Sequence, residues 1–398
     1  MNIIILDIHP LEDGRIQRHI KYLLEKKIKV YRIHYNYTDK TIKTGPFSLF
    51  GEVGYIRNIF LFGKKKINTF LFLILCQTFL FYKDCIKILK KISINENEKI
   101  IIHIHDPQLL PLGEYLKTRY SRNIQLVYDR HEIYEVLNNY LELIFGFPNF
   151  FEKRINKKEI SGVVIISDLY YQSTKNIFPY SNILSISNFP SIKNYDLDKI
   201  KDKYEKFNED SIINMVYIGG LSKKIDRDID LLLEVFFKIL ETCNNVKVIL
   251  GGKDLDPSLL PMINDLSQKY PKRFEYLGYV PYSITNEITQ KAHIGFNFIK
   301  PESEYWVKIS SNKINEYLIC GTIPIVRADV ENYMEIQNVA IIFGRNESKE
   351  LILNTLLKLV SNPELMKSYM KEGHKIGMKN TWESIADRYL LLYEYVSK

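Results

Sequence analysis

The sequence predicts an α/β protein of two domains, each with a parallel sheet that helices cover on both faces. The length of 398 residues is long for one hydrophobic core and comfortable for two. Short apolar runs alternate along the chain with segments that carry apolar residues at helical spacing, which indicates parallel sheets. The charged segment 193–210 interrupts this alternation, so we expect the domain boundary there.

Each strand is predicted from four to six consecutive, mostly apolar residues. The predicted strands are 2–7, 29–34, 100–105, 125–129, 162–167, 183–186, 215–218, 247–250, 274–277, 294–298, 323–327 and 339–343. Helical spacing is clearest at 228–242 and 349–360. These elements predict a doubly wound N-terminal domain at 1–192, a linker at 193–211, a doubly wound C-terminal domain at 212–378 and a final helix within 379–398.

The net charge of +8 is distributed unevenly along the chain. Residues 1–190 hold 27 Lys and Arg against 18 Asp and Glu, whereas the remainder holds 28 against 29. A basic first half suits an anionic membrane surface or a phosphate-bearing substrate. The chain has no recognised nucleic-acid-binding module and no dense basic stripe, so we expect no nucleic-acid partner.

Cysteine spacing and apolar segments bear on the location of the protein. The four cysteines lack the spacing of a metal site or a disulfide framework, which favours reduced thiols in the cytoplasm. The opening residues 1–10 predict a strand and not a secretory signal. The apolar segment 64–83 is shorter than a membrane span, so we expect a buried helix. A helix that lies on the membrane surface is the alternative.

The stretch KISSNKINEYLICGTIPIV (308–326) predicts a short helix with an anion site at its start. Two serines suit the N-cap, so the helix begins near Asn312, and Gly321 ends it. Its free N–H groups and dipole favour a bound anion, which would also make sense of Lys313 in the first turn. Glu316 lies one turn deeper, where its carboxylate could accept hydrogen bonds from a ribose. A surface helix with a solvated lysine is the alternative.

A second anion site is predicted in YIGGLSKKIDRDIDLLLEVF (217–236). A strand ends at Gly219 and Gly220, where the backbone can approach a ligand closely, and Arg227 suits a bidentate grip on phosphate. No Gly-Lys-Ser/Thr follows the glycines, so this is not a P-loop. A tight turn followed by solvated charge is the alternative.

The first half contains three candidate segments at strand ends. His103 and His105 end the strand in IIIHIHDPQLL (100–110) and lie on one side of it, where they could act in catalysis or bind a metal. DRHEIYE (129–135) places Glu132 after the next strand. Gly14 follows the first strand and could let a phosphate or sugar approach the backbone. For each segment a purely structural role remains the alternative.

In this order the motifs resemble the two-domain GT-B glycosyltransferases, in particular the large retaining family often called GT4. The resemblance covers essentially the whole chain, and 312–326 is its most specific part. It implies two Rossmann-like domains that face a central cleft. It also implies that a nucleotide-diphosphate sugar is the donor substrate and that neither a cofactor nor a metal is used.

Carried over by position, the resemblance assigns the donor mainly to the C-terminal domain. The residues that would contact the diphosphate are Gly219, Gly220, Arg227, Asn312 and Lys313. Glu316 would hold the ribose hydroxyls, and the base would lie near 277–281, beside Val280. Lys308 stands where the family usually has a glutamate that contacts the donor sugar, which affects the expected sugar and stereochemistry.

From the N-terminal domain, His105 would face the donor sugar, Glu132 would be a second catalytic residue, and Gly14 would line the cleft floor. The final helix would cross back to this domain. The implied reaction transfers the sugar to a glycan or a lipid-linked acceptor in surface polysaccharide or lipopolysaccharide synthesis, with a peripheral contact to an anionic membrane. The alternatives are a GT-B sugar-nucleotide epimerase, a metal hydrolase and a non-catalytic scaffold.

Overall fold

The computed structural model describes two compact units. The first comprises Met1–Asn188 with Ile385–Lys398, and the second comprises Phe189–Ser384. The residues described are 1–9, 13–34, 53–55, 82–83, 85–86, 99–120, 123–130, 134, 147–223, 227–301, 312–328 and 330–398. Within these ranges no helix has the length and apolar character needed to cross a membrane. The predicted apolar helix at 64–83 lies outside them, apart from its last two residues.

The first unit is built on a seven-stranded parallel sheet in the order β3-β2-β1-β4-β5-β6-β7. Its strands are β1 (Asn2–Asp7), β2 (Lys29–His34), β3 (Val53–Tyr55), β4 (Ile100–Ile104), β5 (Ile124–Arg130), β6 (Ile160–Ile165) and β7 (Asn182–Ser185). Its helices before the second unit are α1 (Gly14–Glu25), α2 (Leu110–Tyr120), α3 (Pro148–Arg154) and α4 (Tyr171–Ile177). The strand order reverses between β1 and β4, the place where such sheets bind ligands.

The second unit repeats this plan with six parallel strands in the order β10-β9-β8-β11-β12-β13. Its strands are β8 (Ile213–Gly220), β9 (Val246–Lys253), β10 (Phe274–Tyr276), β11 (Ile294–Phe298), β12 (Ile323–Arg327) and β13 (Ile341–Phe343). Its helices begin with α5 (Leu197–Glu205), α6 (Ile229–Thr242), α7 (Leu260–Lys269) and α8 (Tyr282–Lys291). They continue with α9 (Asn312–Ile319), α10 (Lys349–Val360) and α11 (Pro363–Lys379). The order reverses between β8 and β11.

These two doubly wound sheets confirm the predicted fold class. The strands were predictable because both faces of each central strand are covered by helices, which selects continuous apolar runs. All six residues of β1 and all five of β11 are buried. The short edge strand β3 was not predicted, since its three residues contain a glycine and show no alternation.

The charged segment 193–211 was expected to be a linker, but the structure makes it part of the second unit. It contains α5, whose side chains Ile200 and Tyr204 are buried in the core of that unit together with Phe207. Lys203 on the same helix donates hydrogen bonds to the carbonyl oxygens of Ala292 and Cys320, the residues that follow α8 and α9. The spacing of the two buried residues, i and i+4, is the amphipathic signal that the many charges obscured.

The end of the chain belongs to the first unit. The short helix α12 (Trp382–Ile385) leads into α13 (Asp387–Val396), which lies against β6 and β7. Gly162 of β6 allows this approach, because a Cβ atom there would lie 3.1 Å from the side chain of Leu392. Tyr389 and Tyr393, one turn apart on α13, are fully buried.

Helix α9 ends where its capping glycine predicts. It begins at Asn312, and Gly321 follows it in the left-handed conformation, with a φ of 58°. The N–H groups of Gly321 and Thr322 donate to the carbonyl oxygens of Leu318 and Tyr317, which is a Schellman motif. The predicted serine N-cap lies outside the described residues.

We expect acid to destabilise the second unit through His293, which is 7% exposed. Its Nδ1 accepts a hydrogen bond from the N–H of Asn214, and burial, followed by the charge of Lys203, lowers its pKa to about 3. The unfolded chain therefore binds one more proton between the pKa values of about 6.5 and 3. The stabilisation is complete above pH 6.5 and falls by at most about 1.4 kcal/mol per pH unit below it.

Denaturant unfolding between pH 7 and 4 measures this effect, with His293→Asn as the comparison. Asparagine can still accept the hydrogen bond from Asn214, but it does not titrate. The variant should lose less stability than the wild type over this range. Equal losses would show that His293 does not contribute.

Candidate functional site

The carboxyl ends of β8 and β9 are paired through glycines in the second unit. Gly219 pairs with Gly252 in the sheet, and a Cβ atom on Gly252 would lie 1.7 Å from the carbonyl oxygen of Gly219. Only glycine therefore fits at position 252. The glycines of β8 lie beside the point where the strand order reverses between β8 and β11, and without side chains they let a ligand approach the backbone closely.

The side chain of Lys313 reaches from the first turn of α9 to this backbone. A Cβ atom on Gly219 would lie 2.3 Å from the Lys313 Nζ, so the two groups are in contact. The ammonium also lies 4.8 Å from the ring centroid of Tyr217, whose hydroxyl donates to the carbonyl oxygen of Gly220. A lysine in a first turn opposes the helix dipole, and an anion between this ammonium and the N–H groups of α9 would offset that cost.

Arg227 is held against the next strand of the sheet. It forms an isolated antiparallel bridge with Ile299, directly after β11, and its Nη1 donates to Oδ1 of the buried Asn297 at 3.2 Å. Glu316 is half-buried and lies one turn after Lys313 on α9. The structure thus places the predicted arginine at the end of β11, beside the strand that carries the glycines.

Val280 lies at the end of β9. A Cβ atom on Gly251 would be 2.6 Å from its Cγ2, so its side chain packs directly on this strand end. The N–H of Gly252 donates to the carbonyl oxygen of Gly278, which ties the segment 277–281 to the glycines. The segment predicted to hold the base therefore lies on the same edge of the sheet as Gly219.

Two of the predicted residues, Glu132 and Lys308, lie outside the described part of the chain. Gly14, in the first unit, is the first residue of α1, and a Cβ atom there would lie 3.3 Å from Nη1 of Arg18. Asp13 caps that helix by accepting hydrogen bonds from the N–H groups of Arg15 and Ile16. Protein side chains, those of Asp13 and Arg18, therefore already lie at the start of this helix.

In the first unit, His105 lies in a buried cluster at the end of β4. Its Nδ1 is 3.7 Å from Oδ2 of Asp129, and Nε2 of His103 is 3.6 Å from the same oxygen. Arg15 grips this carboxylate with two hydrogen bonds, from Nε at 3.0 Å and Nη2 at 3.1 Å. Burial alone would raise the pKa of Asp129, but Arg15 and the two histidines hold it well below its usual value. Asp129 is therefore ionised.

Two tyrosines of α13 complete this cluster. The hydroxyl of Tyr389 donates to Oδ2 of Asp129 at 3.1 Å. The hydroxyl of Tyr393 lies 2.6 Å from Nδ1 of His103 and 2.8 Å from Nε2 of His19 on α1. The sequence analysis missed both tyrosines as well as Arg15 and His19. The sequence did contain a signal for them. Arg15 and His19 are four residues apart on the buried face of α1, and Tyr389 and Tyr393 are four residues apart on the buried face of α13.

Comparison of sequences finds no match to any family model or curated protein. Comparison of structures does find similar proteins. Sucrose-phosphate synthase from Thermosynechococcus elongatus is 14% identical, with a TM-score of 0.69, over 100% of this chain and 99% of that one. The catalytic domain of starch synthase IV from Arabidopsis thaliana, bound to ADP and acarbose, is 13% identical, with a TM-score of 0.65, over 100% and 99%. Anabaena HepE in complex with UDP is 12% identical, with a TM-score of 0.62, over 99% and 100%.

The chain has the GT-B fold. Similarity at these identities establishes the fold alone, because one fold supports many activities. The function of this GT-B chain must therefore be argued from the residues of its two sites.

A metal site in the first unit was one alternative for the two histidines of β4. The three histidines of the cluster do bring nitrogen atoms within 4.8 Å of one another. However, Tyr393 engages His19 and His103, and the guanidinium of Arg15 engages both oxygens of Asp129. A cation would have to displace these contacts and lie beside a buried positive charge. The donor set of this cluster therefore does not fit a metal ion.

His9, two residues after the end of β1, is a charged group that the sequence analysis did not single out. Its Nε2 lies 3.2 Å from Oδ1 of Asp106, and its Nδ1 lies 3.8 Å from Asp13. Burial alone would lower the pKa of His9, but the nearby carboxylates, chiefly that of Asp106, raise it to about 9. His9 is therefore an imidazolium at neutral pH, at the edge where the first sheet reverses its strand order.

Proposed function

We propose that this chain is a glycosyltransferase that moves a sugar from a nucleotide-diphosphate sugar to a glycan or glycolipid acceptor. The observation that carries the proposal is the contact between Lys313 Nζ and the backbone of Gly219. It joins a cation, a helix N-terminus and a glycine strand end at the reversal point of the sheet. Those are the groups that a diphosphate requires. The complexes of structurally similar proteins with ADP and UDP agree with this proposal.

The proposed chemistry depends on stabilising the departing diphosphate. Cleavage of the bond between sugar and phosphate builds negative charge on that leaving group and positive charge on the sugar. Lys313, Arg227 and the N–H groups of α9 would stabilise the negative charge, with no metal ion required. Glu316 would accept hydrogen bonds from the ribose, and Val280 would lie beside the base.

We further propose that the chain is a member of the retaining GT4-like group, with His105 stabilising the positive charge on the sugar. His105 is fully buried, so contact with a sugar requires displacement of the residues that cover it. Lys308, in place of the usual glutamate, makes the donor sugar and the stereochemical outcome specific to this chain. Glu132 remains proposed as a second catalytic residue.

For the acceptor, we propose a surface polysaccharide or lipopolysaccharide intermediate that the protein meets at the cytoplasmic face of a membrane. The support is the charge distribution, since the basic residues are in excess within 1–190 and not in the remainder. Such an excess attracts anionic headgroups. Sedimentation with vesicles of anionic and of neutral lipids would test this part of the proposal.

A thermal-shift screen against UDP-, GDP-, ADP- and CMP-sugars tests the donor. The expected result is a rise in melting temperature with one nucleotide class, followed by transfer of its sugar to an added glycan. Release of a free epimerised sugar nucleotide would indicate the epimerase instead. No shift with any of the four classes would count against donor binding altogether.

Two substitutions in α9 should weaken donor binding. Glu316→Ala and Lys313→Met are each expected to raise the Kd roughly 10- to 100-fold, because each removes a charge-assisted hydrogen bond worth about 1.5–3 kcal/mol. Isothermal titration gives the Kd values. Glu364→Ala and Lys371→Met, at exposed positions of α11, are the matched controls and should bind as the wild type does. Equal affinity in all four variants would refute the placement of the donor.

A further inference from the structure

The C-terminal helix α13 supplies two hydroxyl groups to the buried cluster that holds His105. The charged and titratable groups of the described residues there come from four elements. Arg15 and His19 belong to α1, His103 to β4, Asp129 to β5, and Tyr389 and Tyr393 to α13. All six side chains are at most 6% exposed, so solvent does not compete for their hydrogen bonds.

The ionised carboxylate of Asp129 fixes the direction of the hydrogen bonds. A nitrogen lone pair facing it at 3.6–3.7 Å would be repelled, so the facing nitrogens, Nε2 of His103 and Nδ1 of His105, carry the protons. In the tautomer with its proton on Nε2, His103 accepts the hydrogen bond of the Tyr393 hydroxyl at Nδ1. The Tyr393 oxygen in turn accepts from Nε2 of His19.

This chain of donors and acceptors, from His19 through Tyr393 to His103, has one consistent direction. For His105, the proton on Nδ1 that faces Asp129 corresponds to the tautomer with its lone pair on Nε2. Burial lowers the pKa of His19 well below its usual value, so this ring is neutral and has one N–H to donate, as the chain requires. With its proton on Nδ1, His105 presents the lone pair of Nε2 away from Asp129, where it is suited to a sugar carbon that becomes positive. Orientation and tautomer of His105 thus depend on Asp129, which α13 helps to hold.

We propose that Tyr389 and Tyr393 are positioning residues that hold Asp129 and His103 in place and so fix the tautomer and orientation of His105. The inference rests on the proposed function for its catalytic consequence. It assigns the last helix of the chain a part in the chemistry of the first unit, about 260 residues away from Asp129 in sequence.

Tyr389→Phe and Tyr393→Phe test the proposal, because each removes one oxygen atom and keeps the packing of the ring. Tyr395→Phe is the matched control, since Tyr395 lies on the same helix and is 61% exposed. For the two buried positions we expect kcat to fall roughly tenfold or more, with KM for the nucleotide sugar within about twofold of the wild type. The control should retain both values.

Side-chain ¹⁵N NMR of the histidines supplies a readout that a merely structural role would not change. The wild type and Tyr395→Phe should show one tautomer at each of His19, His103 and His105. In Tyr393→Phe, His103 loses the donor to its Nδ1 and should show a mixture of tautomers. Tyr389→Phe leaves the contacts of Tyr393 with His19 and His103 in place. This variant can therefore still be measured if Tyr393→Phe does not fold.

Unchanged kcat in both folded variants would overturn the inference. A fall in kcat that matches a loss of folded protein, with the histidine tautomers unaltered, would overturn it equally. If the wild type transfers sugar and the variants do so at the same rate, only the positioning role fails. If the wild type transfers no sugar from any donor, the proposed function fails, and the tautomers in the folded variants then decide whether the tyrosines position the histidines.

Discussion

Replacing Gly377 with alanine is expected to destabilise the second unit by roughly 2–4 kcal/mol, even though alanine is the better helix former by about 1 kcal/mol. Gly377 lies where α11 crosses α9. A Cβ atom there would lie 2.3 Å from the backbone nitrogen of Ile319 and 2.5 Å from the carbonyl carbon of Leu318. No side-chain rotation can relieve a contact with backbone atoms, so α9 and α11 must separate.

Gly373→Ala, one turn earlier on α11, is the matched control. The nearest atom to its new methyl group would be a Cδ2 of Leu318 at 3.4 Å, an ordinary contact. This variant should be within about 1 kcal/mol of the wild type, and the gain in helix propensity favours it. Denaturant midpoints give both values. If the two alanine variants are equally stable, the close crossing of α9 and α11 is contradicted.

Separation of the two helices should also affect the candidate donor site. Lys313 and Glu316 lie on α9, and the ammonium of Lys313 reaches Gly219 only because the helix is close to the sheet. The shift of α9 forced by Gly377→Ala would move Lys313 and Glu316 together. The structural role of Gly377 and the proposed binding role of α9 are therefore connected through one helix.

The sequence was sufficient for features that depend on local physics. The apolar runs gave both sheets, and the glycine signal gave the end of α9 at the correct residue, because a left-handed Gly321 follows from the backbone itself. The contact between Lys313 and Gly219 required tertiary structure. The sequence could mark Lys313 and Gly219 as candidates one by one. No local sequence pattern predicts that two residues 94 positions apart are in contact.

The polar cluster around Asp129 was beyond the sequence analysis for a different reason. His19 and Tyr393 occupy positions on the buried faces of their helices, where a polar residue looks like an interruption of the apolar pattern. Their hydrogen bonds form only in the tertiary structure, where α1, β4 and α13 come together. Likewise, the charges of α5 suggested a linker, although Ile200 and Tyr204 anchor it in the second unit.

Replacing His105 with alanine is expected to lower turnover about 100-fold or more while donor affinity stays close to that of the wild type. The reason is the separation of tasks proposed for the two units. Gly219, Lys313 and Glu316, which would hold the nucleotide, belong to the second unit, whereas His105 belongs to the first. Initial rates with saturating donor give kcat, and isothermal titration gives the affinity.

Two further substitutions identify which atom of His105 is responsible. Asparagine can place an N–H near the Nδ1 position and so keep the approach to Asp129, but it has no atom at the position of Nε2. Glutamine can reach the Nε2 position but leaves that of Nδ1 empty. If the lone pair on Nε2 stabilises the sugar, His105→Asn should be as slow as His105→Ala, and His105→Gln should retain part of the activity. The reverse order would mean that the contact with Asp129 matters more than the lone pair, and rates within about threefold of the wild type in all three variants would remove His105 from the mechanism.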